Sequence, residues 1–103
     1  MEKVKITRWN RTGKPTLGLL QKELREEGLD YSLFTCDLDE TYPDHAHEHD
    51  EVRVMVKGRM RFTVGKEKYV LNPGDRIELR KGTVHSAEVD GEQMAVMLTA
   101  SKK

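Results

Sequence analysis

The sequence predicts an all-β barrel or sandwich with one short α-helix near its N-terminus. Two observations support this class. A single helical stripe occurs before Gly28, and short strand-like runs separated by close turn signals follow it. The chain has 103 residues, which fits one domain with a single modest core.

The helix is predicted over residues 15–27. Pro15 suits a first helical position and Gly28 suits a C-terminal stop. One apolar stripe of residues spaced three and four apart runs along this segment: Leu17, Leu20 and Leu24. We therefore expect an amphipathic helix that buries one face.

The remaining elements are predicted as strands. Polar and apolar side chains alternate in residues 3–8, which predicts a short edge strand. We expect residues 1–29, with this strand and the helix, to form an extension that packs on a barrel of residues 30–103. Three dipeptides with glycine predict reversals between strands, the first and last of them as hairpins: Lys57-Gly58, Gly65-Lys66 and Asp90-Gly91.

Charge and cysteine content restrict the classes of partner and compartment. Lys plus Arg equals Asp plus Glu at 18 each, and no long run has one sign, so neither nucleic acid nor a membrane is an expected partner. The single cysteine, Cys36, cannot form an intrachain disulfide. With no spanning apolar run and no signal-like start, the expectation is a soluble cytoplasmic protein.

The histidine-rich segment 44–51 is the most informative part of the chain. On an extended strand, alternate side chains point to one face, which would align four of them: His45, His47, His49 and Glu51. Imidazole and carboxylate are good ligands for Fe, Mn, Ni, Cu or Zn. The alternative is a solvated acidic loop that happens to be rich in histidine.

Two separated motifs favour a metal site over a solvated loop. The first has the spacing His-x-His-x(3)-Glu-x(6)-Gly and is read at His45, His47, Glu51 and Gly58. The second follows at Gly74, Gly82 and His85. With both motifs in register, the chain resembles the cupin superfamily, although three turn-shaping positions depart from the family pattern: Asp39, Arg80 and Val89.

The resemblance implies a cupin jelly-roll, or double-stranded β-helix, barrel that is usually a dimer. It also implies one divalent metal on four side chains: His45, His47, Glu51 and His85. A divalent ion with one carboxylate and neutral imidazoles keeps a net positive charge, which favours small anionic organic ligands. Two functions stay open: a metal-dependent enzyme of the oxygenase or isomerase type, and a non-catalytic binding or sensing cupin.

Further residues have two interpretations each. His49 either orients a ligand residue or lies exposed at the barrel mouth. Arg53 either clamps a substrate carboxylate or pairs with Glu51 or another acid. An apolar stripe also predicts a homodimer that buries it against a second copy: Val52, Val54 and Val56.

Overall fold

The computed structural model describes residues 3–102. These contain one helix and nine strands, in chain order: β1 Val4–Thr7, α1 Leu17–Glu26, β2 Tyr31–Cys36, β3 Thr41–His45, β4 Asp50–Lys57, β5 Met60–Val64, β6 Glu67–Leu71, β7 Arg76–Leu79, β8 His85–Val89 and β9 Ala95–Lys102. The ends of the two predicted regions, Met1, Glu2 and Lys103, lie outside the described residues.

The strands form two antiparallel sheets. A five-stranded sheet has the order β1-β7-β4-β9-β2, and a four-stranded sheet has the order β3-β8-β5-β6. Strands that are consecutive in the chain repeatedly fall in opposite sheets, as in a jelly roll. The predicted fold class, a cupin jelly-roll barrel with one short N-terminal helix, is confirmed.

Two of the predicted hairpins are wrong. Lys57-Gly58 joins β4 to β5, and Asp90-Gly91 lies between β8 and β9, yet each pair of strands is divided between the two sheets. Gly65-Lys66 does close a hairpin, since Val64 pairs with Glu67. A turn dipeptide reverses the chain but does not decide whether the flanking strands pair, because that depends on the surfaces they bury.

The main core lies between the two sheets. Both sheets contribute fully buried side chains to it, among them Met55, Met60, Phe62, Leu71, Ile77 and Leu79. Cys36 belongs to this core as a free, buried thiol. Met94 lies outside this core and is 43% exposed.

A second core lies on the outer face of the five-stranded sheet, under α1. The hydroxyl of Thr16 accepts a hydrogen bond from the Leu19 amide at 3.3 Å and caps the helix, so the helix begins after Pro15. Leu20 and Leu24 then pack on the sheet. No helix within residues 3–102 is long and apolar enough to cross a membrane.

The helix covers the valine stripe that was expected to form a homodimer interface. Val52 and Val54 are 1% and 4% exposed because the helix residues Leu20 and Leu24 cover them. The valine stripe is therefore not a free surface, and that basis for the homodimer is wrong. The homodimer itself stays a prediction, as does the division at residue 29.

Gly58, the last glycine of the first motif, is required by a close approach of the backbone. Its φ is +75°, and a Cβ there would lie 2.7 Å from the Met94 carbonyl oxygen. Gly65 has φ +60° with nothing within 4 Å of the same position. We expect Gly58→Ala to lower the free energy of unfolding by roughly 3 kcal/mol or more, and Gly65→Ala by only about 1–2 kcal/mol.

Urea denaturation of both variants measures the difference. Gly65→Ala is the matched control, because it carries the positive-φ penalty without the clash. Equal losses of stability would contradict a steric role for the contact with Met94.

Candidate metal centre

Strand pairing brings the two motifs together. In the register of β3 with β8, Tyr42 faces Ala87 and His45 faces His85, so β3 contains one extra residue. This β-bulge re-aims the end of the strand. As a result His45 and His85, which are 40 positions apart in the sequence, become direct cross-strand neighbours.

His47 joins them from the loop after β3. The loop is tied to the second motif, because the Gly82 amide donates a hydrogen bond to the His47 carbonyl oxygen at 2.9 Å. Ring centroids of the three histidines lie 4.4 Å (His45–His85), 4.8 Å (His45–His47) and 5.3 Å (His47–His85) apart. One ring nitrogen from each histidine lies within 4.8 Å of the other two.

Backbone carbonyls set the orientation of two of these rings. His45 Nδ1 lies 2.7 Å from the Pro43 carbonyl oxygen, and His85 Nδ1 lies 2.9 Å from that of Thr83. A carbonyl can only accept, so each Nδ1 donates and each Nε2 keeps a free lone pair. This is the arrangement in which metal-binding histidines are usually held.

His47 provides the test of whether a metal ion fits here. Its Nε2 is buried and has no hydrogen-bond partner in the structure. A buried, unpaired ring nitrogen is costly unless something binds it. Two nitrogens bound to one ion at about 2.1 Å each lie at most about 4.2 Å apart. A small inward adjustment of the cluster would therefore let all three histidines bind a single divalent ion.

The predicted alignment of four side chains on one strand, His45, His47, His49 and Glu51, is wrong. β3 ends at His45 and β4 begins at Asp50, so the intervening residues form a loop rather than a continuous strand. His49 lies exposed in this loop, apart from the three clustered histidines. The arrangement favours its interpretation as an exposed histidine at the barrel mouth.

Glu51 lies outside the histidine cluster and is engaged elsewhere. Its carboxylate contacts the Arg53 guanidinium at 3.0 Å and accepts a hydrogen bond from the Ser101 hydroxyl. Both acidic and basic side chains are largely buried, at 8% and 11% exposed. Glu51 as the fourth metal ligand therefore stays a prediction.

A cavity of about 240 Å³ lies beside the histidines, inside the barrel. Arg53 and the three clustered histidines line it, so the predicted ion pair of Arg53 and its place in the pocket both occur. The other lining residues are mostly apolar and come from both sheets: Phe34, Tyr42, Phe62, Ala87, Met97 and Thr99. No local sequence pattern marks the residues of the inner wall, so the sequence alone does not predict them.

Burial favours the neutral form of two of the clustered histidines, His47 and His85. It lowers the pKa of His47 from the ordinary 6.5; the Glu51 carboxylate opposes this shift and the Arg53 guanidinium adds to it. Burial also lowers the pKa of His85, against a hydrogen bond to the backbone. Neutral imidazole is the form that binds a metal.

A double-sheet barrel with an interior cavity and a three-histidine cluster defines a class of small-molecule-binding proteins with a divalent metal site. Comparison with known families gives the particular one. The family model of the cupin domain matches residues 32–101, and the chain belongs to the cupin domain family.

Individual proteins are similar to this chain in sequence or in fold. An uncharacterized protein of Streptomyces coelicolor is 30% identical over 78 residues, which is 76% of this chain and 74% of that protein. A cupin 2 domain-containing protein of Halorhodospira halophila superimposes with a TM-score of 0.72 and 15% identity, covering 99% of this chain and 77% of that one.

An acireductone dioxygenase from Bacillus anthracis, with a cadmium ion in its active centre, superimposes with a TM-score of 0.70. Its identity is 16%, over 97% of this chain and 78% of that one. At this identity the likeness to the two solved structures concerns the fold alone.

Metal affinity should depend on pH through the histidines. The pKa values of His47 and His85 are lowered from 6.5, so both stay neutral at pH 7 and protonate only below their ordinary value. We expect Zn²⁺ affinity to be nearly constant above pH 7 and to fall steeply below about 6.5. Competition with a chromophoric chelator between about pH 7.5 and 5 measures this profile.

His49→Ala is the control and should leave the profile unchanged, because His49 is outside the cluster. An affinity that stays constant down to about pH 5 would mean that carboxylates, rather than these histidines, bind the ion.

Proposed function

We propose that this cupin holds one divalent metal ion on His45, His47, His85 and Glu51 and binds a small anionic organic molecule beside it. We further propose that it transforms this molecule as an enzyme of the oxygenase or isomerase type. The metal is one of Fe, Mn, Ni, Cu or Zn. When bound, such an ion supplies a Lewis acid that polarises a ligand oxygen.

The observation that carries this proposal is the state of the three imidazoles. They converge from two distant motifs, two of them have Nδ1 engaged by a backbone carbonyl, and the third has a buried Nε2 without a partner. A purely structural histidine cluster would satisfy its ring nitrogens within the protein. The fold also accommodates a divalent ion in its neighbour from Bacillus anthracis, which has cadmium in its active centre.

The cavity supports the choice of ligand. A volume of about 240 Å³ suits a small metabolite rather than a polymer segment. Its walls are largely apolar, and the Arg53 guanidinium supplies a positive group suited to carboxylate. Together they favour a compact organic anion with an apolar portion.

A non-catalytic binding or sensing cupin is the second candidate. Of the described residues that line the cavity, Tyr42 and Arg53 are the ionisable groups besides the histidines. Burial, with hydrogen bonds to Cys36 and Glu40, raises the pKa of Tyr42, so the side chain stays a neutral phenol and supplies no phenolate to act as a base. Turnover of a bound ligand by metal-loaded protein separates the two candidates, since a binding protein returns the ligand unchanged.

Substitution of His85 tests the metal centre. His85 is 3% exposed and belongs to the cluster, whereas His49 is exposed and outside it. We expect His85→Ala to weaken Zn²⁺ binding by more than about 100-fold, and His49→Ala by less than about threefold. Isothermal titration calorimetry measures both affinities.

Circular dichroism must first show that both variants fold. If His49→Ala abolishes binding while His85→Ala leaves it intact, the ion is held by the local loop and the proposed centre is wrong. Stoichiometry far below one equivalent with every one of the five metals would also contradict the proposal.

We also propose a homodimer, now through strand β2. β2 is one of the two edge strands of the five-stranded sheet, and β1 is the other. In β2, Leu33 is 54% exposed, and Leu38 beyond the end of the strand is 51% exposed. Open strand edges with exposed apolar side chains tend to pair with another chain.

Light scattering at micromolar concentration is expected to give the mass of two chains, about twice 11.9 kDa. Leu33→Lys should shift the equilibrium toward the monomer, because it puts a charge in the pairing surface. Val84→Lys is the control, since Val84 is equally exposed at 55% but directly precedes β8, which belongs to the four-stranded sheet. A wild-type monomer under these conditions would contradict the dimer.

A further inference from the structure

The Glu51–Arg53 ion pair is an unusual feature of the barrel interior. The two residues lie two positions apart on β4 and so share the face that points inward, with Met55 of the main core. Their side chains are 8% and 11% exposed and 3.0 Å apart. A buried ion pair is weak evidence for stability, because desolvation offsets much of the attraction. The pair therefore calls for a role other than stability.

The positions of the two groups differ with respect to the cavity. Arg53 lines the cavity together with His45, His47 and His85. Glu51 is not among the lining residues, and its carboxylate contacts Arg53 and Ser101. The guanidinium also donates to the Val52 carbonyl oxygen at 3.2 Å. A guanidinium has five N–H donors, so these two contacts leave some of them available for another acceptor.

Charge balance connects the pair to the histidine cluster. The negative charge of the Glu51 carboxylate compensates the positive charge of the Arg53 guanidinium, because the two groups form an ion pair. The cavity then has little net attraction for an anion. A carboxylate that turned toward an ion at the cluster would leave the buried guanidinium uncompensated, which is a costly state.

We propose that Glu51 exchanges between Arg53 and the metal centre, and that Arg53, once released, binds the carboxylate of the ligand. Without metal, the Glu51 carboxylate therefore stays paired with Arg53 and blocks it from binding an external anion. Metal and anion bind with positive coupling, and by thermodynamic linkage each raises the affinity of the other. This inference rests on the proposed function, and it names the ligand class as carboxylates.

The first test needs no metal. In metal-free protein we expect Glu51→Gln to bind malonate at least about tenfold more tightly than the wild type, because Arg53 loses its internal partner. The double variant Glu51→Gln/Arg53→Met should lose this gain. Calorimetry measures both. Equal malonate affinity of the wild type and Glu51→Gln would overturn the proposal.

The second test is a double-mutant cycle on Zn²⁺ affinity. Arg53→Met frees Glu51 for the centre, so we expect Zn²⁺ affinity to rise about tenfold in the wild-type background and by less than about threefold in the Glu51→Gln background. An equal rise in both backgrounds would mean that Arg53 acts only by charge repulsion, and it would overturn the exchange. A fall in affinity would overturn it too.

Controls separate this inference from the metal centre itself. Arg61→Met removes an arginine that pairs with Glu88 and is not part of the cavity lining, and it should change neither affinity. Circular dichroism confirms folding, and Glu51→Asn replaces Glu51→Gln if the latter does not fold. Absence of Zn²⁺ binding in the wild type would refute the proposed function and the exchange of Glu51. The malonate measurements on metal-free protein would still decide whether Arg53 is the anion-binding residue.

Discussion

The antiparallel pairing of β3 with β8 is the constraint on which the site depends. It sets His45 opposite His85, and one extra residue in β3 turns the chain into the loop that carries His47. The Gly82 amide then fixes that loop through the His47 carbonyl. Both motifs are therefore joined by backbone hydrogen bonds before any metal binds, so the cost of arranging the ligands is met when the barrel folds.

Two separate small cores, one on each face of the five-stranded sheet, explain how so small a barrel can hold a cavity. The central strand β4 is buried on both faces: Met55 lies in the core between the sheets, and Val52 lies under the helix. Because α1 covers the outer face of that sheet, the interior can give part of its volume to a site rather than to apolar packing. A chain with only 36% hydrophobic residues gains stability from two small cores instead of one large one.

Backbone carbonyls orient the imidazole rings of the site and set which ring nitrogen carries the proton. Pro43 and Thr83 each precede a histidine by two positions and accept from its Nδ1, which fixes the tautomer without any acidic side chain. Glu51 is thereby free for another partner, and in this structure that partner is Arg53. The barrel interior thus combines three clustered imidazoles with one ion pair, and its net charge changes when an ion or a charged ligand binds.

Motif spacing and residue chemistry are enough to predict the fold family and the histidines His45, His47 and His85, but they leave open whether Arg53 faces the site. The sequence could not decide which strands share a sheet, and the hairpin predicted at Asp90-Gly91 is therefore wrong. Nor could it place His49, because strand parity fails where β3 ends at His45. The engagement of Glu51 by Ser101, 50 positions away, was decided only by the tertiary structure, since contacts across a barrel depend on sheet register and have no local signature.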